Sequence, residues 1–348
     1  MQDKSWPTLI LVYEIFLHLV KHEAISESKL KIFLTEQYIH RLLYLFETNN
    51  THERDYLKQI VHKLYAKVVR RRKVFRKMFN NHFITLVHES EIANGVSEIL
   101  DIYSSIISGF TVPLKPEHID FFRHFLTPML KVSSCSTFFE ELLRWILIFL
   151  NKERWLVQPL LLTLLEFWPY GNTAKEIGYI ITIYESLDFL SEIDDIDEIV
   201  VPLFKRVAQC LASEHVQIID KTMTFFEKDN ILNLARTYAK VIYPLIVPAI
   251  EKQYKGHWHN TLRENFKDLR AILKETNNKT YEAVWKKHQI KLDAKWERRK
   301  SLDRKWKALE DQWKAKQPDF KPTELPFNPN KLVSDYNSVY SSVTSLTH

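Results

Sequence analysis

Residues 57–68 read LKQIVHKLYAKV, and the apolar side chains of this stretch recur at helical spacing. Leu57, Ile60, Val61, Leu64 and Val68 follow the order i, i+3, i+4, i+7, i+11. Because an α-helix turns once in about 3.6 residues, this spacing places the five side chains on one face. The stretch therefore predicts an amphipathic helix that buries one side.

Similar periodicity recurs along most of the chain and is interrupted by short groups of turn residues. Asn49 with Asn50, Pro113, and Asn277 with Asn278 are such breaks. Two helices with their turns occupy about 40 residues, which is near the period of HEAT-type repeats. We therefore predict an all-α fold, a right-handed solenoid of HEAT-like helical repeats. The other predicted helices cover 6–20, 35–46, 75–87, 96–107, 115–131, 138–150, 155–167, 173–187, 194–211, 215–226, 229–252 and 258–276.

The length of the chain also bears on its domain organisation. A single compact core usually stops growing near about 250–300 residues, so 348 residues require two domains or an elongated array. The chain contains only 5 glycines, which favours stacked helices over a hairpin-rich sheet. We predict a HEAT-like solenoid over 1–280 and a charged C-terminal helix over 281–316. We expect residues 317–348, which are rich in proline, asparagine, serine and threonine, to be disordered.

Cysteine usage indicates a reducing compartment. Cys135 and Cys210 lie far apart in the sequence and form no CxxC pair. The first apolar run contains Glu14 and His18 and lacks the pattern of a signal peptide. We therefore expect the protein in the cytoplasm or the nucleus, with no membrane partner.

The sequence offers no motif for catalysis or for a metal site. The five glycines are isolated from one another, so no glycine-rich phosphate loop is present. His257 and His259 are the nearest approach to a metal-binding pair, but residues i and i+2 of a helix point apart. We therefore expect no catalytic residues, no metal and no cofactor, and we do not expect an enzyme.

A dense basic cluster follows the first quoted helix. It contains seven cations within eleven residues: Lys67, Arg70, Arg71, Arg72, Lys73, Arg76 and Lys77. Such a cluster is compatible with nucleic-acid binding or nuclear localisation, and equally with recognition of acidic or phosphorylated peptides. A solvated helix face is the third interpretation, and the cluster alone does not decide among them.

Apolar side chains also lie beside the core stripes of the two predicted helices at 57–68 and 96–107. Tyr65 shares the flank of the first stripe with His62. Ile102 and Ile106 lie one turn apart on the flank of the 96–107 stripe. Packing on a neighbouring repeat is the preferred explanation of these isoleucines, and an exposed anchor site is the alternative. An anchor site would suit a short peptide with two aliphatic residues and a following acid, bordered by His62, Lys63, Arg72, Lys115 and His118.

Several motifs resemble the B-prime regulatory subunits of protein phosphatase 2A, in order and spacing from Trp6 to about Gln312. They include Glu53-Arg54-Asp55-Tyr56-Leu57-Lys58, His62-Lys63-Leu64-Tyr65, Asn94-Gly95, Ser105-Ile106-Ile107-Ser108-Gly109-Phe110, Pro113-Leu114-Lys115, Glu117-His118, Trp168-Pro169 and His257-Trp258. The resemblance implies a HEAT-type solenoid without catalytic activity that docks on the phosphatase scaffold and catalytic subunits. It also implies a regulatory role in which the subunit selects substrates.

The resemblance further implies a groove that binds short motifs of the form LxxIxE, often strengthened by phosphorylation. It places this groove at His62, Lys63, Tyr65, Arg72, Ile102, Ile106, Lys115 and His118. The tyrosine and the isoleucines are assigned to the aliphatic positions of the motif, and the cations to its acid and any phosphate. The implied partners are the scaffold and catalytic subunits and LxxIxE-containing substrate proteins.

The sequence departs from the family pattern at several places, including Lys63, residues 49–51, and the extra charges of Arg70 and Arg71. Lys63 stands where arginine is usual, which keeps the charge but loses bidentate geometry. Residues 49–51 are Asn49, Asn50 and Thr51, where acidic residues and a proline are usual. This change affects any contact that the loop makes with the catalytic subunit.

The alternative function is a nucleic-acid-binding or nuclear-transport helical-repeat adaptor that uses the basic cluster 67–77. Phe75 is the only aromatic residue within that cluster. Interleaved aromatics are typical of single-strand binding surfaces, so the regulatory-subunit interpretation is preferred.

Overall fold

A computed structural model describes residues 5–89, 93–192 and 196–316. Within these ranges the regular structure is entirely helical, so the predicted all-α helical-repeat fold is confirmed. The α-helices are α1 Trp6–Lys21, α2 Glu27–Phe33, α3 Glu36–Tyr44, α4 Thr51–Lys67, α5 Arg72–His88, α6 Val96–Ser108, α7 Pro116–Phe121, α8 Thr127–Met129, α9 Phe139–Lys152, α10 Val157–Glu166, α11 Thr173–Ser186, α12 Asp197–Leu211, α13 Val216–Met223, α14 Asp229–Thr237, α15 Ala239–Gly256 and α16 Asn260–Lys316. The predicted right-handed sense of the solenoid stays a prediction.

Short irregular turns connect these helices. A π-helical turn at Phe122–Leu126 divides the predicted helix 115–131 into α7 and α8. Tyr238, with φ −100° and ψ 25°, divides the predicted helix 229–252 into α14 and α15. The 3-10 turns are Leu45–Glu47, Val69–Arg71, Ser133–Thr137, Arg154–Leu156, Leu187–Glu192 and Thr224–Glu227.

One helix, α2, was not predicted from the sequence. It has seven residues and buries only Leu30. A single buried side chain produces no apolar periodicity, so the pattern that located the longer helices is missing here.

The chain divides into two compact units, Met1–Ile199 and Val200–His348, with the boundary inside α12. The predicted division at residue 280 remains a prediction. α16 continues across that position and is interrupted at Asn277, whose backbone is extended at φ −159° and ψ 80°. The Asn277 carboxamide oxygen accepts a hydrogen bond from the Thr280 N–H over 3.1 Å and so caps the helix that follows. The predicted disordered tail, 317–348, lies outside the described residues.

In the first unit, neighbouring helices pack through the apolar stripes that the sequence predicted. α4 packs against α1 and α6, and α6 packs in turn against α9. Trp145 of α9 is fully buried, and its indole N–H donates to the Leu100 carbonyl of α6 over 2.6 Å. Tyr103 stacks on Phe121 with 5.4 Å between ring centroids. These contacts hold α4, α6, α7 and α9 in the arrangement on which the candidate site depends.

In the second unit, a buried carboxylate joins α15 to both parts of α16. Glu251 is 0% exposed and accepts hydrogen bonds from Arg270 over 2.7 Å and from the Tyr281 hydroxyl over 2.8 Å. Arg270 precedes the interruption at Asn277 and Tyr281 follows it. A buried carboxylate needs such donors because its desolvation is costly.

Across the described ranges, each helix is either too short or too polar to traverse a lipid bilayer. The expected location in the cytoplasm or the nucleus stays a prediction.

Gly95 provides a test of the junction before α6. Its φ is +76°, and a Cβ atom there would lie 2.5 Å from the Cβ of Phe46 and 2.7 Å from its carbonyl oxygen. We expect Gly95→Ala to lower the free energy of unfolding by about 1–2 kcal/mol for the left-handed backbone and by a further 1–3 kcal/mol, roughly, for the clash. Urea unfolding followed by circular dichroism measures the loss.

Gly171→Ala is the matched control for this substitution. Gly171 has φ +80°, but nothing lies within 4 Å of the position its Cβ would occupy. The control therefore carries the backbone penalty without the clash. Equal destabilisation by the two substitutions would contradict the close approach to Phe46.

Candidate functional site

The end of α4 and the start of α5 form the centre of the candidate site. α4 ends at Val68, whose backbone leaves the helical region at φ −106° and ψ 77°. The 3-10 turn that follows reverses the chain, so Arg72 returns to the last turn of α4. Its guanidinium donates to the carbonyls of Tyr65 over 3.0 Å and Ala66 over 3.1 Å. These carbonyls lack partners within the helix, so Arg72 caps the C-terminus of α4.

Tyr65 connects this cap to the next turn of α5. The Arg72 guanidinium lies 5.3 Å from the Tyr65 ring centroid, within the range of a cation–π contact. Arg76 donates to the Tyr65 hydroxyl over 3.0 Å. Tyr65 is therefore held by one cation at its ring and by a second at its hydroxyl. It is 7% exposed, and most of its ring is unavailable to a ligand.

Arg76 is the residue that the site prediction missed. It stands four residues after Arg72, on the same face of α5, and that spacing was the available signal. Arg76 also acts electrostatically on Tyr103 of α6 and on His118 of α7. Its guanidinium thus contacts Tyr65 of α4, and its charge acts on one residue each of α6 and α7. We name Tyr65, Arg72, Arg76 and His118 the arginine–tyrosine cluster.

Ile102 does not form the exposed surface that the sequence allowed. It is 2% exposed, and Ile106 one turn later is half-buried. The reason is that α6 packs on both α4 and α9, which buries a wider arc of its surface than one stripe. Burial, which helical periodicity alone favoured, is thus what the structure shows for Ile102, whereas the family resemblance implied an exposed anchor there. The predicted apolar surface is reduced to Ile106 and the edge of Tyr65.

Lys115 and His118 lie at the start of α7. Lys115 is exposed and precedes the first helical residue, Pro116. The His118 ring is half-buried and stacks on Phe110 with centroids 3.9 Å apart. Burial is the main cause that lowers the pKa of His118; Glu117 opposes this, and the positive charges of Lys115 and Arg76 add to it. At neutral pH the ring is therefore uncharged and acts as a hydrogen-bonding group, not as a cation.

His62 and Lys63 are exposed, and the structure separates Lys63 from the arginine–tyrosine cluster. Lys63 and Tyr65 are two residues apart on α4 and point to different sides of the helix. Lys63 instead lines a cleft beside the end of α1, together with Val20, Lys21, Glu23, Ala66 and Lys67. The prediction that Lys63 borders the same surface as Tyr65 is thus not what the geometry shows.

The basic cluster 67–77 is divided by its own contacts. Lys67 donates to the carbonyls of Val20 and His22 at the end of α1, over 3.1 and 2.7 Å. Arg72 and Arg76 are held by the last turn of α4. Of the remaining cations, Arg70, Lys73 and Lys77 are exposed and Arg71 is half-buried. This division disfavours a continuous basic strip for nucleic acid.

The altered loop at residues 47–51 is a structural junction. The Asn50 side chain accepts hydrogen bonds from the N–H groups of His52 and Glu53 and so caps α4. Asn94 donates to the Glu47 carbonyl over 3.1 Å and to the Asn49 side chain over 2.8 Å. Asn49 and Asn50 therefore join the start of α4 to the segment before α6.

The histidine pair near the start of α16 also has a structural role. His257 is 5% exposed, and its Nδ1 accepts a hydrogen bond from the His259 N–H over 3.0 Å. The Nδ1 of His259 accepts in turn from the Leu262 N–H over 3.4 Å. Both rings thus bind backbone donors at the N-terminal end of α16.

The fold and the site define a helical-repeat protein whose first unit carries an arginine- and tyrosine-lined surface. The family model described as "Protein phosphatase 2A regulatory B subunit (B56 family)" matches residues 1–313. The chain belongs to this family, and the resemblance seen in its sequence motifs is confirmed.

Relatives from animals and plants agree with this assignment. The mouse 56 kDa regulatory subunit alpha isoform is 33% identical over 307 residues, which is 88% of this chain and 63% of the relative. The rabbit delta isoform is 32% identical over 280 residues, 80% of this chain and 48% of the relative. The Arabidopsis thaliana B' gamma isoform is 32% identical over 287 residues, 82% of this chain and 55% of the relative. The chain therefore spans roughly half to just under two thirds of the length of these curated relatives.

The electrostatic coupling within the site can be tested through His118. Because the positive charge of Arg76 lowers the pKa of this histidine, we expect Arg76→Gln to raise it. An NMR titration of the His118 ring signals measures the change. Arg70→Gln is the matched control, since Arg70 is exposed and is not among the charges that act on His118. An equal rise in both variants would contradict the proximity of Arg76 to His118.

Proposed function

We propose that the chain is a non-catalytic regulatory and substrate-targeting subunit of protein phosphatase 2A that recruits partners through LxxIxE-type motifs. The relatives are named as regulatory subunits of serine/threonine-protein phosphatase 2A, and the chain shares their family. Within the described residues, the arginine–tyrosine cluster is the observation that carries the motif-binding part. It offers two cations held at fixed positions by hydrogen bonds to the last turn of α4, and Ile106 of α6 remains half-buried.

The apolar part of a bound motif has a narrower contact surface than the sequence implied. Ile106 and the edge of Tyr65 would touch an aliphatic side chain directly, while the buried Ile102 would support them from below. Fully burying one aliphatic side chain contributes about 1.5–3 kcal/mol before ordering costs. Two anchors of this kind would give a short peptide moderate affinity. The acidic residue of the motif would then fix the orientation in which the peptide binds.

The acidic part of the motif would face arginine and lysine. Arg72 uses two of its N–H groups for the carbonyls of α4, and a guanidinium has five donors in all. Arg76 uses one donor for the Tyr65 hydroxyl. Both guanidinium groups are thus oriented before a ligand arrives, which lowers the entropic cost of binding a carboxylate. Lys115 and the neutral His118 would extend this surface toward α7.

We expect an LxxIxE peptide to bind and Lys115→Glu or Arg76→Gln to weaken it by roughly tenfold or more. A hydrogen bond to a charged group is worth about 1.5–3 kcal/mol, and about 1.4 kcal/mol corresponds to a tenfold change. Ile106→Asp should weaken binding similarly through the apolar part. Fluorescence polarisation with a labelled peptide measures each affinity.

Lys73→Glu is the matched control for Lys115→Glu. Lys73 is an exposed cation of the basic cluster 67–77, and it lies outside the proposed contacts with the peptide. It makes the same charge change and should leave the affinity nearly unchanged. If Lys73→Glu and Lys115→Glu weakened binding equally, the effect would be general electrostatics and the site assignment would be wrong.

We also propose that the scaffold and catalytic subunits of protein phosphatase 2A are partners of the chain. This proposal rests on family membership, and it does not require the peptide site. Affinity purification of the full chain from cell lysate should recover both subunits, and Lys115→Glu should recover the same amount of them. The isolated chain should hydrolyse no phosphopeptide. Absence of both subunits would exclude docking while leaving peptide binding to be judged by its own assay.

A further inference from the structure

The last part of α16 carries an apolar stripe that faces solvent. Every residue from 301 to 316 is exposed. Leu302, Trp306 and Leu309 are 48%, 70% and 56% exposed, and Trp313 is 50% exposed. These residues follow the spacing i, i+4, i+7, i+11, so they lie on one face of the helix. We name Leu302, Trp306, Leu309 and Trp313 the C-terminal stripe.

The first part of α16 uses the same spacing for a buried face. Leu262, Phe266, Leu269 and Leu273 also follow i, i+4, i+7, i+11, and each of them is buried. That face packs within the second unit against α13, α14 and α15. The C-terminal stripe repeats this spacing for helix packing in a part of the helix whose residues are exposed. An exposed helix gains little stability by itself, because most helical stability in proteins comes from packing an apolar face.

The charges that border the C-terminal stripe differ between its two sides. In a seven-residue repeat with Trp306 and Trp313 at position a, Leu302 and Leu309 occupy position d. Arg298 and Lys305 then fall at position g, on one border of the stripe. Asp303 and Glu310 fall at position e, on the other border. All four are exposed, and Glu310 forms an ion pair with Lys314 over 2.6 Å within the same helix.

One basic border and one acidic border match a second copy of the same helix in parallel orientation. In a parallel pair, position g of one helix faces position e of the next repeat in the other helix. Arg298 would face Asp303 of the second copy, and Lys305 would face Glu310 of the second copy. An antiparallel pair would instead place basic borders together and acidic borders together. An anionic membrane surface would favour cations on both borders, which Asp303 and Glu310 do not provide.

We propose that the C-terminal stripe is a self-association surface on which two copies of the chain pair through a short parallel coiled coil. Burial of the leucine and tryptophan side chains supplies the affinity. The border charges set orientation and partner choice, because exposed ion pairs contribute little stability by themselves. The inference is independent of motif binding at the first unit, and either can fail without the other.

The experiment is sedimentation equilibrium of the full chain from about 1 to about 100 μM, a range that detects micromolar dissociation constants. We expect a monomer–dimer equilibrium, and Trp306→Asp should weaken it by roughly tenfold or more. Lys305→Glu and Glu310→Lys should each weaken it, and the double variant carrying both changes should restore it. Arg304→Glu is the matched control, since Arg304 is exposed at position f, on the helix face opposite the stripe, and should have no effect.

Any one of the following outcomes would overturn the proposal. The full chain could stay monomeric over the whole concentration range. The dimer could be insensitive to Trp306→Asp, or the double charge exchange could be no better than the single changes. The chain could remain monomeric yet bind vesicles of phosphatidylcholine with phosphatidylserine in a manner lost with Trp306→Asp, which would identify a membrane-surface helix. Circular dichroism of each variant verifies that helix content is retained.

Discussion

α6 must bury two faces at once, because it packs against α4 on one side and α9 on the other. This two-sided burial sets the limits of the candidate site. It draws Ile102 into the interior and anchors the indole of Trp145 on the Leu100 carbonyl. It also leaves Ile106, one turn further, at the edge. A helix with a single neighbour would have left both isoleucines available to a ligand.

Two cations of the basic cluster 67–77 bind the carbonyls at the C-terminal ends of helices. Lys67 completes the C-terminus of α1, and Arg72 completes that of α4. The carbonyls at the end of a helix carry partial negative charge and lack internal partners, so a nearby cation is drawn to them. For Arg72 this structural task also fixes the guanidinium beside the Tyr65 ring. The helix cap and the fixed position of the guanidinium are thus two consequences of one contact.

In the second unit, Glu251 likewise joins separate helical segments through one set of contacts. A single buried carboxylate binds Arg270 and Tyr281 and so holds both parts of α16 beside α15. Beyond Tyr281 the helix leaves this anchor, and its final residues are exposed. The exposed C-terminal stripe has the same spacing as the buried residues at the start of α16. The two parts therefore differ in burial because of the helices around them, and not because of their sequence pattern.

The sequence by itself determined the all-helical class, the position of most helices and the family. Helical periodicity is local, so residues within one or two turns suffice to predict which face of α4 is buried. The same local view missed α2, which buries one side chain, and it joined α14 to α15 across Tyr238. For the candidate site, the set predicted from the family resemblance includes Tyr65, Arg72 and His118 but not Arg76, and the role of that set in binding stays a prediction. Only the tertiary structure decided that Ile102 is buried, that Lys63 lines a cleft with residues at the end of α1, and that Arg76 binds the Tyr65 hydroxyl while its charge acts on Tyr103 and His118. The physical reason is that burial and electrostatic neighbours depend on helices distant in sequence, and no local spacing specifies which of them meet.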